Sequence, residues 1–305
     1  MTYNTDKTVS VLLYNSRQVL GINQLHKQGL LGQNITIAII DTGAAPHPDF
    51  TLGQNRIIQF VDLINNRTMP YDDNGHGTFT AGILAGNGLI SGGRYCGIAP
   101  LSELIVIKAL DARGQTEPVK IIEAMQWIYQ NQVKFNIKVV CMSFGSPPLA
   151  RADPLILGAE SLWDSGIVVV TAGGNDGPEP NTIKSPGLSR KIITVGAASF
   201  DKETGNCYAS DFSSRGSVYG FVKPDLIAPG VDIISTSNDL KFYTKMSGTS
   251  VATPFVAGVA ALLLERRPGY DPNQIKSVLL HSATRLDCPL NTCGMGLLNP
   301  LGAVE

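Results

Sequence analysis

Three residues of the types required for nucleophilic catalysis by a serine occur along the chain in the order Asp41, His76 and Ser250. Such catalysis needs a nucleophile, a base that takes its proton and a carboxylate that orients the base. Each residue also has a simpler interpretation: a turn or cap for the aspartate, a surface or core position for the histidine, and a helix start for the serine. Residue type alone does not decide between chemistry and structure.

The surroundings of these residues favour chemistry. Asp41 directly follows the apolar run 35–40, where burying an acid is costly unless it is paired. His76 lies between two glycines, which leave room for another side chain or a substrate backbone. Ser250 opens a long apolar stretch that reads as a helix. The free N–H groups at such a helix start favour developing negative charge.

Apolar runs alternate with amphipathic stretches along the chain. We predict strands at 35–40, 104–110, 139–144, 167–171 and 192–195, and helices from 77 to 84, at 119–132, 155–164 and 250–266, and from 272 through 283. Continuous apolar strands that alternate with helices indicate a parallel sheet covered on both faces. The predicted fold class is therefore α/β, with three layers, a mostly parallel central sheet and helices on both faces.

Polar residues follow three of the predicted strands. Asp41 and Ser143 stand at the ends of two of them, and Asn175 lies just beyond a third. Sites in open α/β sheets form at the carboxyl ends of the strands. The sequence therefore predicts that these residues share one edge of the sheet.

Three motifs surround the candidate residues. In chain order they are Ile39-Ile40-Asp41-Thr42-Gly43 followed by His47-Pro48-Asp49, then Asn74-Gly75-His76-Gly77-Thr78, and Ser247-Gly248-Thr249-Ser250-Val251-Ala252-Thr253-Pro254. In these motifs and their order, from about Gly21 to Ala303, the chain resembles the subtilisin-like serine protease family, in the style of the intracellular bacterial subtilisins. The resemblance implies the subtilisin-like fold and a serine endopeptidase whose catalytic triad is Asp41, His76 and Ser250.

The resemblance implies further site residues. Asn175, in Ala172-Gly173-Gly174-Asn175, would donate a hydrogen bond to the tetrahedral intermediate, together with the backbone N–H of Ser250. A peptide or protein substrate would lie as an extended strand between two backbone segments, so that specificity is broad. The substrate-binding residues implied in this way are Leu110, Gly114, Ser143, Phe144, Gly145, Ala172, Gly173, Gly174 and Lys184.

Several positions depart from the family pattern. Phe79, Val251 and Phe255 stand where His, Met and His are common. None of these changes removes a proton-transfer or oxyanion group, so we expect activity. Lys184 aligns with the base of the specificity pocket, where an ammonium would favour acidic side chains before the scissile bond. The alternative is that Lys184 points to solvent or pairs with Asp176.

The composition and charge of the chain limit the kinds of binding partner that are expected. The chain has 305 residues, a formal net charge of −1 and no long Lys/Arg run. Nucleic acid and acidic membrane surfaces are therefore not expected as main partners, and a homo-oligomer stays open. No segment reaches the roughly 18 uninterrupted apolar residues of a membrane span. The polar start lacks a typical signal-peptide core, so with Met1 as the native start we expect a cytoplasmic protein.

Residues 1–20 are interpreted as an N-terminal leader and residues 21–305 as the peptidase domain. The apolar patch at 11–14 could lie across the active site and inhibit it, or form an edge strand or mobile terminus. The chain has five cysteines, an odd number that is widely spread along the sequence. We interpret them as reduced, mostly buried thiols, as expected in a cytoplasmic chain. Cys288 and Cys293 are close enough for a disulfide or half a metal site.

No cofactor is expected for the chemistry. Many relatives bind structural calcium, but residues 85–92 are poor in carboxylates, and Asp49 alone cannot supply six to eight oxygen ligands. Structural calcium elsewhere stays open. An inert subtilisin-fold binding or regulatory protein is the alternative function, although all three triad residues and Asn175 are present. A second alternative is esterase or transpeptidase activity, which would proceed through the same acyl-enzyme and use the same residues.

Overall fold

The computed structural model describes residues 13–148, 153–201, 203–217, 219–239 and 241–305. The strands are β1 (Thr36–Asp41), β2 (Ile57–Asp62), β3 (Glu103–Lys108), β4 (Ile137–Met142), β5 (Val168–Ala172), β6 (Ile193–Phe200), β7 (Cys207–Ala209), β8 (Leu226–Pro229), β9 (Ile233–Thr236) and β10 (Tyr243–Met246). The helices are α1 (Leu13–Val19), α2 (Ile22–Lys27), α3 (Pro48–Thr51), α4 (His76–Ala85), α5 (Pro118–Asn131), α6 (Pro154–Asp164), α7 (Thr249–Arg266), α8 (Pro272–Ser282), α9 (Leu290–Cys293) and α10 (Pro300–Val304), with a 3₁₀ turn at Leu89–Ser91.

The central sheet has eight strands in the order β2-β3-β1-β4-β5-β6-β7, with β8 also pairing β6. Every pairing in it is parallel except β6 with β7. From β1 the chain passes to the edge strand β2, returns to β3 beside β1, and then crosses to β4, β5 and β6 on the other side of β1. Since the strand order reverses at β1, the carboxyl end of β1 is the place where such sheets bind ligands.

Burial explains why these strands read as unbroken apolar runs. All residues of β1 and β5 are buried, because helices cover both faces of the sheet. Helices α5 and α6 pack together and contact β1 and β5, whereas α7 packs on β4, β5, β6 and β8 and contacts α4. The predicted three-layer α/β architecture is confirmed.

Helix α7 is the apolar centre of one layer. Its length and composition would suit a membrane span, but 83% of it is buried inside the protein, as in a core helix. Helix α8 begins at a complete capping box, in which the Asp271 side chain accepts from Gln274 N and the Gln274 side chain accepts from Asp271 N. These two bonds satisfy donors that a helix start leaves free.

The predicted elements differ from the observed ones mainly at their ends. Strand β3 ends at Lys108 rather than at Leu110, and β4 ends at Met142, because the last residues of each run turn away to form loops of the site. β2 and the short strands β7 to β10 were not predicted. Several of these are only three or four residues long, too short to show a period.

The expectation of reduced thiols is wrong for two of the five cysteines. Cys288 and Cys293 form a disulfide, with Cα atoms 6.2 Å apart, within the distance that a disulfide can bridge. Cys96, Cys141 and Cys207 are free, and only Cys141 is fully buried.

The leader falls partly outside the described residues, which begin at Leu13. Leu13 and Tyr14 open α1 rather than an edge strand, and Val11 and Leu12 lie outside the described part. Arg17 of α1 donates to the carbonyl of Gly93 (3.2 Å) and to Asn23 Oδ1 (2.7 Å). These bonds attach α1 to the rest of the fold.

Candidate active site

Asp41 and His76 form a hydrogen-bonded pair at the carboxyl end of β1. The Asp41 carboxylate is 1% exposed, and its Oδ1 lies 2.7 Å from His76 Nδ1. Thr42 N and Thr80 Oγ1 donate to the same carboxylate, at 2.7 and 3.3 Å. These bonds satisfy the buried charge and hold the imidazole with Nδ1 toward the acid, so that Nε2 is left to act as the base.

A second buried carboxylate, Asp72, holds the turn that carries His76. Asp72 accepts from the N–H groups of Asn74 and Gly75 at 3.0 and 2.9 Å. It also accepts from the N–H and Oγ1 of Thr78 at 2.9 and 2.7 Å, and from Thr42 Oγ1 at 3.0 Å. One carboxylate therefore ties the start of α4 to the turn after Asp41.

The charges around His76 set its protonation. Partial burial disfavours the imidazolium, but the Asp41 carboxylate, and to a smaller extent Asp72, stabilise it, so the pKa of His76 is raised above its ordinary value. These carboxylates thus favour the charged form of the imidazole, as a base that accepts a proton requires. For the buried Asp72, the N–H and hydroxyl donors outweigh the cost of burial and hold the pKa of its carboxyl below the usual range.

Ser250 and Asn175 meet at Gly248, just before α7. The Asn175 Oδ1 accepts from Thr249 N (2.9 Å) and Thr249 Oγ1 (3.0 Å), which leaves Asn175 Nδ2 free to donate elsewhere. A Cβ atom added to Gly248 would lie 3.1 Å from Ser250 Oγ, 3.5 Å from Asn175 Nδ2 and 3.7 Å from Ser250 N. The Ser250 hydroxyl and two N–H donors, Asn175 Nδ2 and Ser250 N, therefore surround a small open space.

The start of α7 supplies one of these donors. A helix leaves its first N–H groups without intrahelical partners. Thr249 N is used by Asn175, whereas Ser250 N has no hydrogen-bond partner within the described ranges. No hydrogen bond within 3.5 Å joins Ser250 Oγ to His76 among these residues, an arrangement common in enzymes without substrate.

The two segments predicted to bind the substrate differ in their free backbone groups. Phe144 and Gly145 make no backbone hydrogen bond in the part of the chain that the structure describes. Leu110 is buried, and its N–H donates to the carbonyl of Asp41 at 3.2 Å. Gly114 closes a tight turn by donating to Asp111 O at 2.9 Å. Of the four residues, only Phe144 and Gly145 have both the N–H and the C=O group without a backbone hydrogen bond in the described part of the chain, as pairing with an extended peptide requires.

Lys184 lies between two of the predicted pocket segments. Its aliphatic stem packs against Gly145 and Gly174, and its ammonium forms an ion pair with Asp176. The interpretation that Lys184 pairs with Asp176 is confirmed. Ala172 and Gly173 are buried at the end of β5, and the Gly174 N–H donates to Thr249 Oγ1 at 3.1 Å, which joins this segment to the start of α7 beside Ser250.

The residues that depart from the family pattern lie in the core. Phe79, Val251 and Phe255 are at most 2% exposed and belong to the main hydrophobic cluster. Sequence reasoning missed Thr42, Asp72 and Thr249, which orient the candidate catalytic groups. Asp72 precedes the His76 motif in a polar turn, and this position was the only available signal for its role.

The region around Asp49 does not fit calcium. The carbonyl oxygens of Asp49, Ala85 and Pro100 accept hydrogen bonds from the guanidinium of Arg56, which is 3% exposed. The Asp49 carboxylate accepts from Tyr243 Oη at 2.7 Å. An internal cation already uses the oxygens that a metal would need, and its charge would repel a divalent ion.

Comparisons with known proteins agree with this geometry. The Subtilase family model matches residues 32–296. The chain is 39% identical over 329 residues to Serine protease AprX of Bacillus subtilis (strain 168), covering 98% of this chain and 73% of that protein. It is 34% identical over 288 residues to Subtilisin DY of Bacillus licheniformis, covering 93% and 95%.

A solved structure of S41 Psychrophilic Protease matches with a TM-score of 0.78 and 30% identity, covering 88% of this chain and 92% of that one. A fold and sequence likeness of this extent defines the class of protein: a serine endopeptidase that hydrolyses peptide bonds. The chain belongs to the subtilase family.

Proposed function

We propose that Ser250 is the nucleophile, His76 the general base and acid, and Asp41 the carboxylate that orients the imidazole. The observation that carries this assignment is the 2.7 Å bond from His76 Nδ1 to Asp41, at the same sheet edge as Ser250 and Asn175. Asp41 fixes the tautomer and stabilises the imidazolium. Each of the three roles has a residue of the required chemistry.

In the proposed reaction, His76 Nε2 takes the hydroxyl proton of Ser250 while Oγ forms a bond to the scissile carbonyl carbon. The carbonyl oxygen becomes an oxyanion, which accepts from Asn175 Nδ2 and Ser250 N at the open space beside Gly248. His76 then gives its proton to the leaving amine as the C–N bond breaks. Water, deprotonated by His76, then attacks the acyl carbon; the C–Oγ bond breaks as His76 returns the proton to Ser250 Oγ, and the acid is released. Only groups of this chain, the substrate and water take part.

The substrate is an extended peptide or protein segment that pairs with the backbone at Phe144 and Gly145. Such pairing reads main-chain groups rather than side chains, so cleavage is expected after many residue types. Leu110 and Gly114 would flank the other side of the peptide. The pocket for the residue before the cut would be lined by Ala172, Gly173, Gly174 and Lys184.

Two further interpretations stay predictions. They are the cytoplasmic location and the division of the chain into an N-terminal leader (1–20) and a peptidase domain (21–305).

The test is labelling with a fluorophosphonate probe, together with casein digestion, on wild type, Ser250→Ala and Ser247→Ala. Ser247 is an exposed hydroxyl nearby whose Oγ accepts from Asp232 N at 2.9 Å, which makes it a matched control. Labelling and digestion should vanish only in the Ser250 variant. Wild-type protein that neither labels nor digests casein would instead support an inert scaffold.

A further inference from the structure

Lys108 is a fully buried lysine beside the catalytic pair. It is the last residue of β3 and is 0% exposed. In the sheet it is paired in register with Asp41 of β1 on one side and Asp62 of β2 on the other. Its side chain has no role in the reaction described above.

The Lys108 ammonium donates to three acceptors that belong to three different segments of the site. Nζ lies 2.7 Å from Thr42 O, in the turn after Asp41, and 3.0 Å from Leu110 O, at the start of the 110–114 segment. It also lies 2.6 Å from Asp73 Oδ1, in the loop before His76. All three N–H donors of the ammonium are therefore used.

A buried ammonium is costly unless every donor is paired. The three acceptors are consequently held at fixed distances from one point, and so are the segments that carry them. The face of Tyr71 adds a further contact, with its ring centre 5.2 Å from Nζ. Movement of the 110–114 segment would therefore disturb the loop that leads to His76.

Asn74 makes a second connection between the same two segments. Its Nδ2 donates to Ala112 O at 3.0 Å, and its Oδ1 accepts from His76 N at 3.1 Å. The loop before His76 is thus joined to the 110–114 segment at two places, one of them ionic.

We propose that Lys108 is a positioning residue that fixes the 110–114 substrate segment and the Asp41–His76 pair relative to each other. Alignment of the peptide and the geometry of proton transfer are then set by one buried group. The proposal rests on the triad assigned above. It goes beyond that triad because Lys108 touches neither the substrate nor the reacting atoms.

The main experiment compares Lys108→Met with the matched control Lys223→Met. Lys223 is a second buried lysine, 1% exposed. Its ammonium donates to Asp225 and Thr194, which lie outside the candidate active site. The rate of fluorophosphonate labelling reports the triad alone, because the probe is small. The kcat and KM for a peptide substrate long enough to lie along the 110–114 segment report both the triad and the substrate segment. Wild-type labelling is measured first, so that failure of the triad assignment is seen separately.

For Lys108→Met we expect a folded enzyme whose labelling rate and peptide kcat both fall by about tenfold or more, since small misplacements of reacting groups have effects of this size. Lys223→Met should keep both rates within about twofold of wild type, because it lies outside the site. Unchanged rates in Lys108→Met would overturn the proposal. So would an equal loss in both variants, or a rise in KM alone with a normal labelling rate.

The pH profile separates positioning from general damage. The charged groups around His76 are Asp41 on β1, Asp72 and Asp73 in the preceding loop, and Lys108 on β3. Lys108→Met leaves the Asp73 carboxylate without its cation, so the acidic limb of kcat/KM should move to higher pH. The double variant Lys108→Met/Asp73→Asn should move the limb back. A limb that stays in place in Lys108→Met would contradict the proposal.

Where Lys108→Met does not fold, Asp73→Asn alone provides the test. The Asp73 side chain is 38% exposed, so this variant should fold. It removes only the ionic bond between the loop and Lys108. We expect kcat to fall by about threefold or more, and a kcat equal to that of wild type would overturn the proposal.

Discussion

Gly77 of α4 packs directly on Gly43 of the turn after β1, so closely that a Cβ on Gly77 would overlap the carbonyl oxygen of Gly43. The Gly77 N–H also donates to Thr42 Oγ1 at 2.9 Å. These contacts bring the segment of His76 against the segment of Asp41. The pair therefore depends on the absence of a side chain at residue 77.

We predict that Gly77→Ala lowers kcat/KM by about 100-fold, because the methyl group pushes α4 away from β1 and lengthens the Asp41–His76 bond. Gly269→Ala is the control, since Gly269 has open space around it. Peptide hydrolysis measures the effect, and thermal unfolding shows whether both variants fold. A Gly77→Ala enzyme with normal kcat/KM would show that the close contact does not set the pair.

Five of the strands, β1 and β3 to β6, and the common sheet edge of the candidate residues could be predicted from the sequence, because they depend on local patterns. A continuous apolar run such as that of β1 predicts a strand buried on both faces, and Asp41 ends this strand. Pro272 and the Asp271–Gln274 box likewise mark the start of α8 within four residues.

The supporting groups could not be predicted, because their partners are distant in the chain. Thr249 acquires its role only when it reaches Asn175, 74 residues away. Arg56 acquires its role only when three backbone carbonyls converge on it, and these carbonyls carry no sequence signal. The disulfide of Cys288 and Cys293 was one of two alternatives that spacing alone left open.

The raised pKa of His76 predicts the pH dependence of activity. The imidazole must be neutral to accept the Ser250 proton, so kcat/KM should rise with pH through a pKa above the ordinary 6.5. Asp41→Asn removes the charge that stabilises the imidazolium, so the limb should move to lower pH and kcat should fall by about 10⁴-fold. A limb in the wild type at or below that of the Asp41 variant would contradict this account.

The ion pair of Lys184 and Asp176 predicts a change of substrate preference. In the wild type the ammonium is neutralised, so peptides with Glu before the scissile bond should gain nothing over Phe. Asp176→Asn frees the ammonium and should raise the Glu-to-Phe ratio of kcat/KM by up to about fivefold, the size expected for a partly exposed pair. Lys184→Met in the same background should abolish the gain. An unchanged ratio in Asp176→Asn would show that Lys184 does not face the substrate.

Arg56 should make the region around Asp49 independent of metal. Its guanidinium serves three buried carbonyl oxygens, and burial lowers its pKa only to about 10, so it stays charged at neutral pH. Arg56→Met should cost about 3 kcal/mol or more, because those oxygens lose their donors. A ligand bound to the native state would raise its stability. EDTA should therefore change the unfolding temperature of the wild type and of Arg56→Met by the same amount, and a fall in both would come from a metal bound elsewhere.

Lys223 makes stability depend on alkaline pH. Burial lowers the pKa of its ammonium to about 8, although Asp225 favours the charged form. In the unfolded chain a lysine titrates near 10.4. Between these two values the unfolded state binds more protons than the native state, so stability rises with pH.

The cost of keeping Lys223 charged is therefore fully present below about pH 8 and is relieved as the pH rises to about 10.4, where it amounts to about 3 kcal/mol at most. In Lys223→Met this dependence should disappear. Urea unfolding of both proteins at pH 7 and pH 10 gives the difference between them at each pH, which cancels the other titrating groups. Relative to the variant, the wild type should gain stability at pH 10. A constant difference would mean that Asp225 holds the pKa of Lys223 near its usual value.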